Sequence, residues 1–137
     1  GDHRDLHSFP TRRSSDLKQF CVLSPGLFNL FIYDLPKIFD NECCPVKLDS
    51  YPINCLLYAD DLVLLSESSK GLQNALNKLN EYCRKWKLTV NLNKTKVVIF
   101  NKGGSRLKKY HFFLADSEIE IAQNYCYLGI EFSASNL

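Results

Sequence analysis

Apolar residues along this chain form one long helical stripe and several short alternating runs. Leu72, Leu76, Leu79, Cys83 and Trp86 recur at three- and four-residue steps, with Ala75 and Tyr82 beside them. That spacing predicts an amphipathic helix. Ser68 or Ser69 can cap its start, and Arg84, Lys85 and Lys87 complement the dipole at its end. An earlier helix is predicted after Ser24, a competent N-cap, and Pro25, which suits the first helical position because its missing N–H would have had no partner there. Leu27, Phe28, Leu30, Phe31, Ile32 and Leu35 cover most of its surface, so this helix is expected to be largely buried. Pro36 should end or bend it. Asp40 to Pro45 reads as a turn, Val46 to Ser50 as a short strand, and Ile53 to Tyr58 and Leu62 to Ser66 as the arms of a β-hairpin. Farther on, Thr95 to Phe100 reads as a strand ended by Asn101-Lys102-Gly103-Gly104. Tyr110 to Leu114, Glu118 to Ile121 and Tyr127 to Phe132 are short strands. The order predicts an α+β fold: an antiparallel sheet carrying the hairpin, packed against two helices, with a small β tail.

The length, 137 residues, suits one domain or a piece of one. No segment reaches the roughly 20 apolar residues of a membrane span, so no membrane partner is expected. Residues 1–17 show no periodicity, and Ser8 to Leu17 resembles the translation of a sequencing-library adapter. They are expected to be a disordered or artefactual leader, with the domain occupying residues 18–137. The six cysteines contain no C-x-x-C pair, which argues against zinc. Reduced thiols in the nucleus or cytoplasm are the simplest reading.

Net charge is only +2, yet it is unevenly placed. The stretch from Arg84 to Lys109 holds nine basic residues, Lys96 and Lys102 among them, and no acid. Residues 18–83 hold eight acids against five bases. A phosphate-facing surface and a solvated face explain this run equally well.

Candidate chemistry centres on Tyr58-Ala59-Asp60-Asp61, between the runs Cys55-Leu56-Leu57 and Leu62-Val63-Leu64-Leu65. Two adjacent acids at a hairpin tip suit a divalent cation, because a hard cation prefers oxygen ligands. Ordinary turn chemistry accounts for the same dipeptide, since Asp side chains bond local N–H groups. A two-metal centre for nucleotidyl transfer also needs a further acid from an adjacent strand.

The order of motifs adds a resemblance. Gln19-Phe20-Cys21-Val22-Leu23-Ser24-Pro25, then Leu27 to Ile32 and Asp34-Leu35-Pro36, resembles the second conserved palm motif of reverse transcriptases from non-LTR retrotransposons. Tyr58 to Asp61 resembles their catalytic hairpin. The Leu72–Trp86 helix with Leu88-Thr89-Val90-Asn91 and Lys94-Thr95-Lys96 is similar to the following element, and Tyr127-Leu128-Gly129 to the next short β motif. The likeness covers nearly all of residues 19–132 and is nearest to the jockey-like group. It implies part of the palm of an RNA-directed DNA polymerase that uses Mg2+ or Mn2+, an RNA template, a DNA primer and dNTPs. Asp60 would be a metal ligand with Asp61 beside it, and Lys94 would face the nucleotide phosphates. Gln19, Ser24, Pro25, Tyr58 and Ala59 would line the template and nucleotide pocket. Tyr127, Leu128 and Gly129 would hold the primer end, and Arg84, Lys85, Lys87, Lys96 and Lys102 would contact the nucleic-acid backbone.

Two departures temper what the resemblance implies. Phe20 stands where the family usually has glycine, which obstructs close approach at Gln19. The family's earlier palm strand, with a further metal-binding aspartate, should lie upstream of Gln19, where the leader stands. The chain is therefore expected to be a fragment that is inactive alone. The alternatives are a non-catalytic nucleic-acid-binding palm remnant and the translation product of a decayed element. The sequence specifies no oligomeric state.

Overall fold

The computed structural model of the protein describes Gly26, Leu30, residues 32–100 and residues 110–134. The chain divides into two compact units, residues 1–33 and 34–137. In the first, Gly26 and Leu30 are helical and Ile32 is buried. Leu30 is 72% exposed, against the expectation of a largely buried helix: its place in the apolar run did not fix which way it faces. Ser24, Pro25, Leu27, Phe28 and Phe31 lie outside the described residues, as do Gln19, Lys102 and the leader.

The second unit is organised around α1, Ser69–Trp86. Ser68 caps it, its side chain accepting the Gly71 N–H at 3.0 Å. Such a cap satisfies one of the backbone donors left free in the first turn. The helix ends where Lys87 takes a left-handed conformation, φ 55°, and the Leu88 N–H bonds back to the Cys83 carbonyl at 2.9 Å. Gly71, Ala75, Leu76, Leu79, Tyr82 and Cys83 form its buried stripe. Leu72 is only half-buried, and Trp86 is 37% exposed with its ring 6.2 Å from that of Tyr82.

Two short 3-10 turns pack against α1. Leu35–Ile38 holds Pro36 in its first turn, where the absent N–H costs nothing, so the proline starts this turn. Asn41–Cys43 is capped by Asp40, whose carboxylate accepts the Glu42 N–H at 3.0 Å. Asp40 also pairs with Lys78 of α1. The pairing holds the Asp40 carboxyl below its usual range and raises Lys78. Leu35, Phe39 and the fully buried Cys43 join the α1 stripe in the core.

The strands are short and make four separate sheets among the described residues. They are β1 Val46–Leu48, β2 Tyr51–Ile53, β3 Cys55–Tyr58, β4 Asp61–Leu64, β5 Lys96–Val97, β6 Phe112–Leu114, β7 Ser117–Ile121, β8 Asn124–Tyr127 and β9 Ile130–Ser133. Pairs β1–β2, β3–β4 and β8–β9 are isolated antiparallel ribbons, while β5-β7-β6 is a mixed sheet with β5 parallel to β7. The fold is α+β as expected, but the single antiparallel sheet is not what forms.

Three local causes are visible. Asn54 breaks the β2–β3 run. The expected Thr95–Phe100 strand keeps only Lys96 and Val97, the residues that find β7 as a partner. Leu128 and Gly129 both take positive φ, 50° and 78°, so the expected Tyr127–Phe132 strand folds back on itself. Positive φ at both central residues is the type I′ pattern that closes two-residue hairpins.

Phe112, Leu114, Ile119 and Val97 supply the sheet's side of the core. Gln73 of α1 closes the outer edge of β6: its amide donates to the Phe113 carbonyl at 2.8 Å and accepts the Phe113 N–H at 3.0 Å. That pairing imitates a neighbouring strand and blunts an edge that would otherwise invite another chain.

Gly71 is where the elements approach most closely. A Cβ there would lie 2.6 Å from the Cys43 carbonyl oxygen, 2.6 Å from Ser66 Oγ and 2.7 Å from Cys44 Cβ. Gly71→Ala is therefore expected to destabilise the fold by about 1–3 kcal/mol, the usual cost of forcing extra volume into a packed site. A urea midpoint unchanged from wild type would refute the close approach.

Tyr82 donates its hydroxyl to Asp34 Oδ1 at 2.6 Å. Burial first, and this bond second, push its pKa up to about 12 from 10.0. The folded state thus keeps a proton that the unfolded state gives up. This contribution is full below pH 10 and is lost as pH rises through about 12. Absorbance titration of the phenolates should show one late component that Tyr82→Phe removes.

Candidate functional site at the β3–β4 tip

Tyr58 pairs with Asp61, leaving Ala59 and Asp60 as a two-residue turn. Only Ala59 of the two has positive φ, 51°, the pattern of a type II′ turn. The register sorts the ribbon's side chains into two faces. Cys55, Leu57, Leu62 and Leu64 share the half-buried face. Leu56, Tyr58, Asp61 and Val63 share the other, where Leu56 is 46% and Tyr58 62% exposed.

Asp60 and Asp61 are both exposed. No basic side chain among the described residues forms an ion pair with either. Among the described residues no group of three or more His, Cys, Asp or Glu side chains could hold a metal. The pair therefore offers hard oxygen donors that pay no burial cost and carry no counter-charge. Such donors suit a partly hydrated divalent cation, though two alone do not complete a two-metal centre.

Local geometry alone does not mark this tip as special. The β6–β7 hairpin turns through Ala115-Asp116, again with positive φ only at the alanine, 53°. Ser117 there stands where Asp61 stands in β4. The second acid distinguishes the two turns.

The feet of the ribbon are tied to the α1 body. Asn54 Nδ2 donates to the Phe39 carbonyl at 3.1 Å, and the Asn54 carbonyl accepts the Leu65 N–H at 2.7 Å. Ser66 Oγ donates to the Cys43 carbonyl at 2.7 Å, and the Glu67 N–H to the Cys44 carbonyl at 2.9 Å. Burial raises the Cys43, Cys55 and Cys83 thiols, which keeps them protonated at neutral pH.

The other predicted site residues separate into groups. Lys94 is exposed in a turn whose backbone bonds run to Asn91, and its carbonyl accepts the Tyr125 hydroxyl at 3.2 Å. That contact joins the Lys94 turn to the β8–β9 ribbon. No hydrogen bond or ion pair joins Lys94, Tyr127, Leu128 or Gly129 to the Asp60–Asp61 tip. Tyr125, Tyr127, Ile130 and Phe132 share one apolar face of their ribbon, with Leu128 exposed at its turn. Arg84, Lys85 and Lys87 are exposed at the C-terminal end of α1, and Lys85 Nζ lies 5.2 Å from the centre of the Trp86 ring. Lys96 instead pairs with Glu120, its partner across the β5–β7 ladder.

The pattern of the family described as reverse transcriptase (RNA-dependent DNA polymerase) matches residues 7–132. The chain belongs to the reverse transcriptase family. It is similar to the probable RNA-directed DNA polymerase from transposon BS of Drosophila melanogaster, 36% identical over 101 residues, 67% of this chain and 10% of that protein. It is 33% identical to the retrovirus-related Pol polyprotein from type-2 retrotransposable element R2DM of the same organism, over 87% of this chain and 12% of that protein. The RNA-directed DNA polymerase from mobile element jockey, also from Drosophila melanogaster, is 27% identical over 85% of this chain and 13% of that protein. The chain thus spans about a tenth of the length of the curated relatives it matches. No solved structure matches it.

Sequence reasoning located the tip of this reverse transcriptase segment but missed its supports. Asn54 was legible as the lone polar residue inside an apolar run, and Gly71 as a glycine inside a strong helix pattern. Neither signal says which backbone atom lies opposite.

Ala59 carries the tip's one unfavourable backbone angle. Non-glycine residues in this region cost of the order of 1 kcal/mol or more. Ala59→Gly is expected to stabilise the chain by up to about 1 kcal/mol, net of the glycine entropy cost. A thermal midpoint below wild type would contradict the assigned turn.

Proposed function

We propose that this chain is a palm segment of a retrotransposon RNA-directed DNA polymerase, and that Asp60 and Asp61 are its contribution to the divalent-metal centre. One observation carries the reading: in a member of the reverse transcriptase family, two adjacent, exposed and unpaired carboxylates stand at the end of a tight ribbon. Asp60 and Asp61 would hold Mg2+ or Mn2+. The bound cation would lower the pKa of the attacking primer hydroxyl and neutralise charge on the leaving pyrophosphate. The chain's own part is to hold two oxygens at a fixed place, to keep them clear of lysine and arginine, and to present Tyr58 beside them. The substrates are an RNA template, a DNA primer and dNTPs. Gln19, Ser24 and Pro25 belong to the template and nucleotide pocket in this reading, and Tyr127 to Gly129 to the primer side.

Exposed Arg84, Lys87 and Lys94 support contact with the phosphate backbone, which is salt-dependent and independent of sequence. They equally support a second reading, a nucleic-acid-binding palm without catalysis. Binding of an RNA–DNA duplex that weakens with salt and ignores Asp60→Asn suits both readings, so the metal decides between them.

The test is Mn2+ titration of the 15N-labelled chain. Paramagnetic broadening should be confined to the amides around Tyr58–Leu62 and should vanish in the Asp60→Asn, Asp61→Asn double variant. Absence of broadening at the tip would sink the metal assignment. Because two carboxylates do not complete a two-metal centre, the chain alone is expected to give no primer extension on an RNA template with either metal. Extension that disappears in Asp60→Ala would show that the remaining ligand is already present.

A further inference from the structure

Among the described residues the β3–β4 ribbon shares no strand ladder with any other sheet, and one of its faces is half-buried. Hydrogen bonds at its two feet tie it to the α1 body. At the β3 foot, Asn54 reaches across fifteen positions to the carbonyl of buried Phe39, at 3.1 Å. Its own carbonyl takes the Leu65 N–H at 2.7 Å, beyond the Cys55–Leu64 pair that ends the ladder. At the β4 foot, Ser66 reaches the carbonyl of fully buried Cys43, at 2.7 Å. Phe39 lies just before the 3-10 turn that packs on α1 and Cys43 ends it, so both tethers reach the same packed segment.

Asn54 has a second peculiarity. Its Oδ1 is buried and has no hydrogen-bond partner. An unpartnered buried acceptor is a stability cost. What the side chain does achieve is one directed bond from the ribbon's foot to the body.

We propose that Asn54 and Ser66 are paired positioning residues that fix the Asp60–Asp61 tip relative to the α1 body. They touch neither metal nor substrate. They act through the ribbon: each clamps one strand, and two clamps on one body prevent both swing and twist of the arm. The proposal rests on the reading of Asp60 and Asp61 as metal ligands, and its tether component can be measured without a metal.

The experiment compares the wild-type chain with Asn54→Leu and Ser66→Ala. Leucine keeps the branching of asparagine at Cγ and removes the bare oxygen together with the tether; because it is bulkier, Asn54→Ala is run beside it to remove the tether without added volume. Amide dispersion of the α1 residues verifies that each variant is folded. The first readout is the 15N order parameter of the Tyr58–Asp61 amides. It should fall from the rigid value near 0.85 toward about 0.6 or below in each variant, with α1 unchanged. The second is Mn2+ affinity at the tip, which should weaken at least about threefold, less than the roughly tenfold or greater cost of removing a direct outer-shell partner of a ligand. A lowered denaturation midpoint with unchanged tip order and unchanged Mn2+ affinity would show that both residues merely hold the fold together, and would overturn the proposal. If Mn2+ fails to broaden the wild-type tip, the metal reading falls, and the order parameters alone decide whether the tethers hold.

Discussion

The approach of Gly71 to Cys43, Cys44 and Ser66 is the constraint on which the rest of the described structure depends. At that point the start of α1, the 3-10 turn before β1 and the end of the β3–β4 ribbon meet with no room for a methyl group. The hydrogen bonds there are interlocked. Ser68 caps α1 through Gly71, Ser66 accepts the Ser68 N–H at 3.3 Å, and Ser66 in turn donates to Cys43. Glycine inside a helix costs about 0.5–1 kcal/mol relative to alanine. That cost is offset by contact between elements that would otherwise stand apart. The missing side chain at Gly71 lets Ser66, at the foot of the β3–β4 ribbon, and the Cys43–Cys44 segment approach the helix that carries the core.

The acidic tip shows how little local geometry says about chemistry. Ala59-Asp60 and Ala115-Asp116 make the same kind of turn, in two hairpins of different consequence. Turn chemistry explains the first aspartate of either pair. It does not explain Asp61, which occupies a paired strand position where an exposed carboxylate brings no packing and no ion pair. The proposed metal centre would give that second acid a reason.

The basic run shows the opposite relation. As a sequence it is one block, but folding divides it by use. Lys96 is matched to Glu120 across the parallel pair, and Lys85 lies near the Trp86 ring. Among the described residues, Arg84, Lys87 and Lys94 remain as exposed cations. Charge counted along a chain overstates the field available to a ligand wherever a neighbouring strand supplies an acid, and that neighbour is invisible in the sequence window.

The sequence by itself determined α1 with a serine cap at Ser68 or Ser69, the β3–β4 hairpin, the turn after Asp40 and the acids at the tip, because each is written in residues a few positions apart. Periodicity, capping and turn chemistry act over that range. The tertiary structure decided the parallel partner of β5, the division of the strands into separate ribbons, the exposure of Leu30, and the roles of Asn54, Ser66 and Gly71. The partner of β5 and the roles of Asn54, Ser66 and Gly71 depend on a carbonyl or strand fifteen or more positions away, as with Asn54 and Phe39 or Ser66 and Cys43. Local residue patterns state what a segment prefers to be; what it must fit against is settled only when distant segments meet.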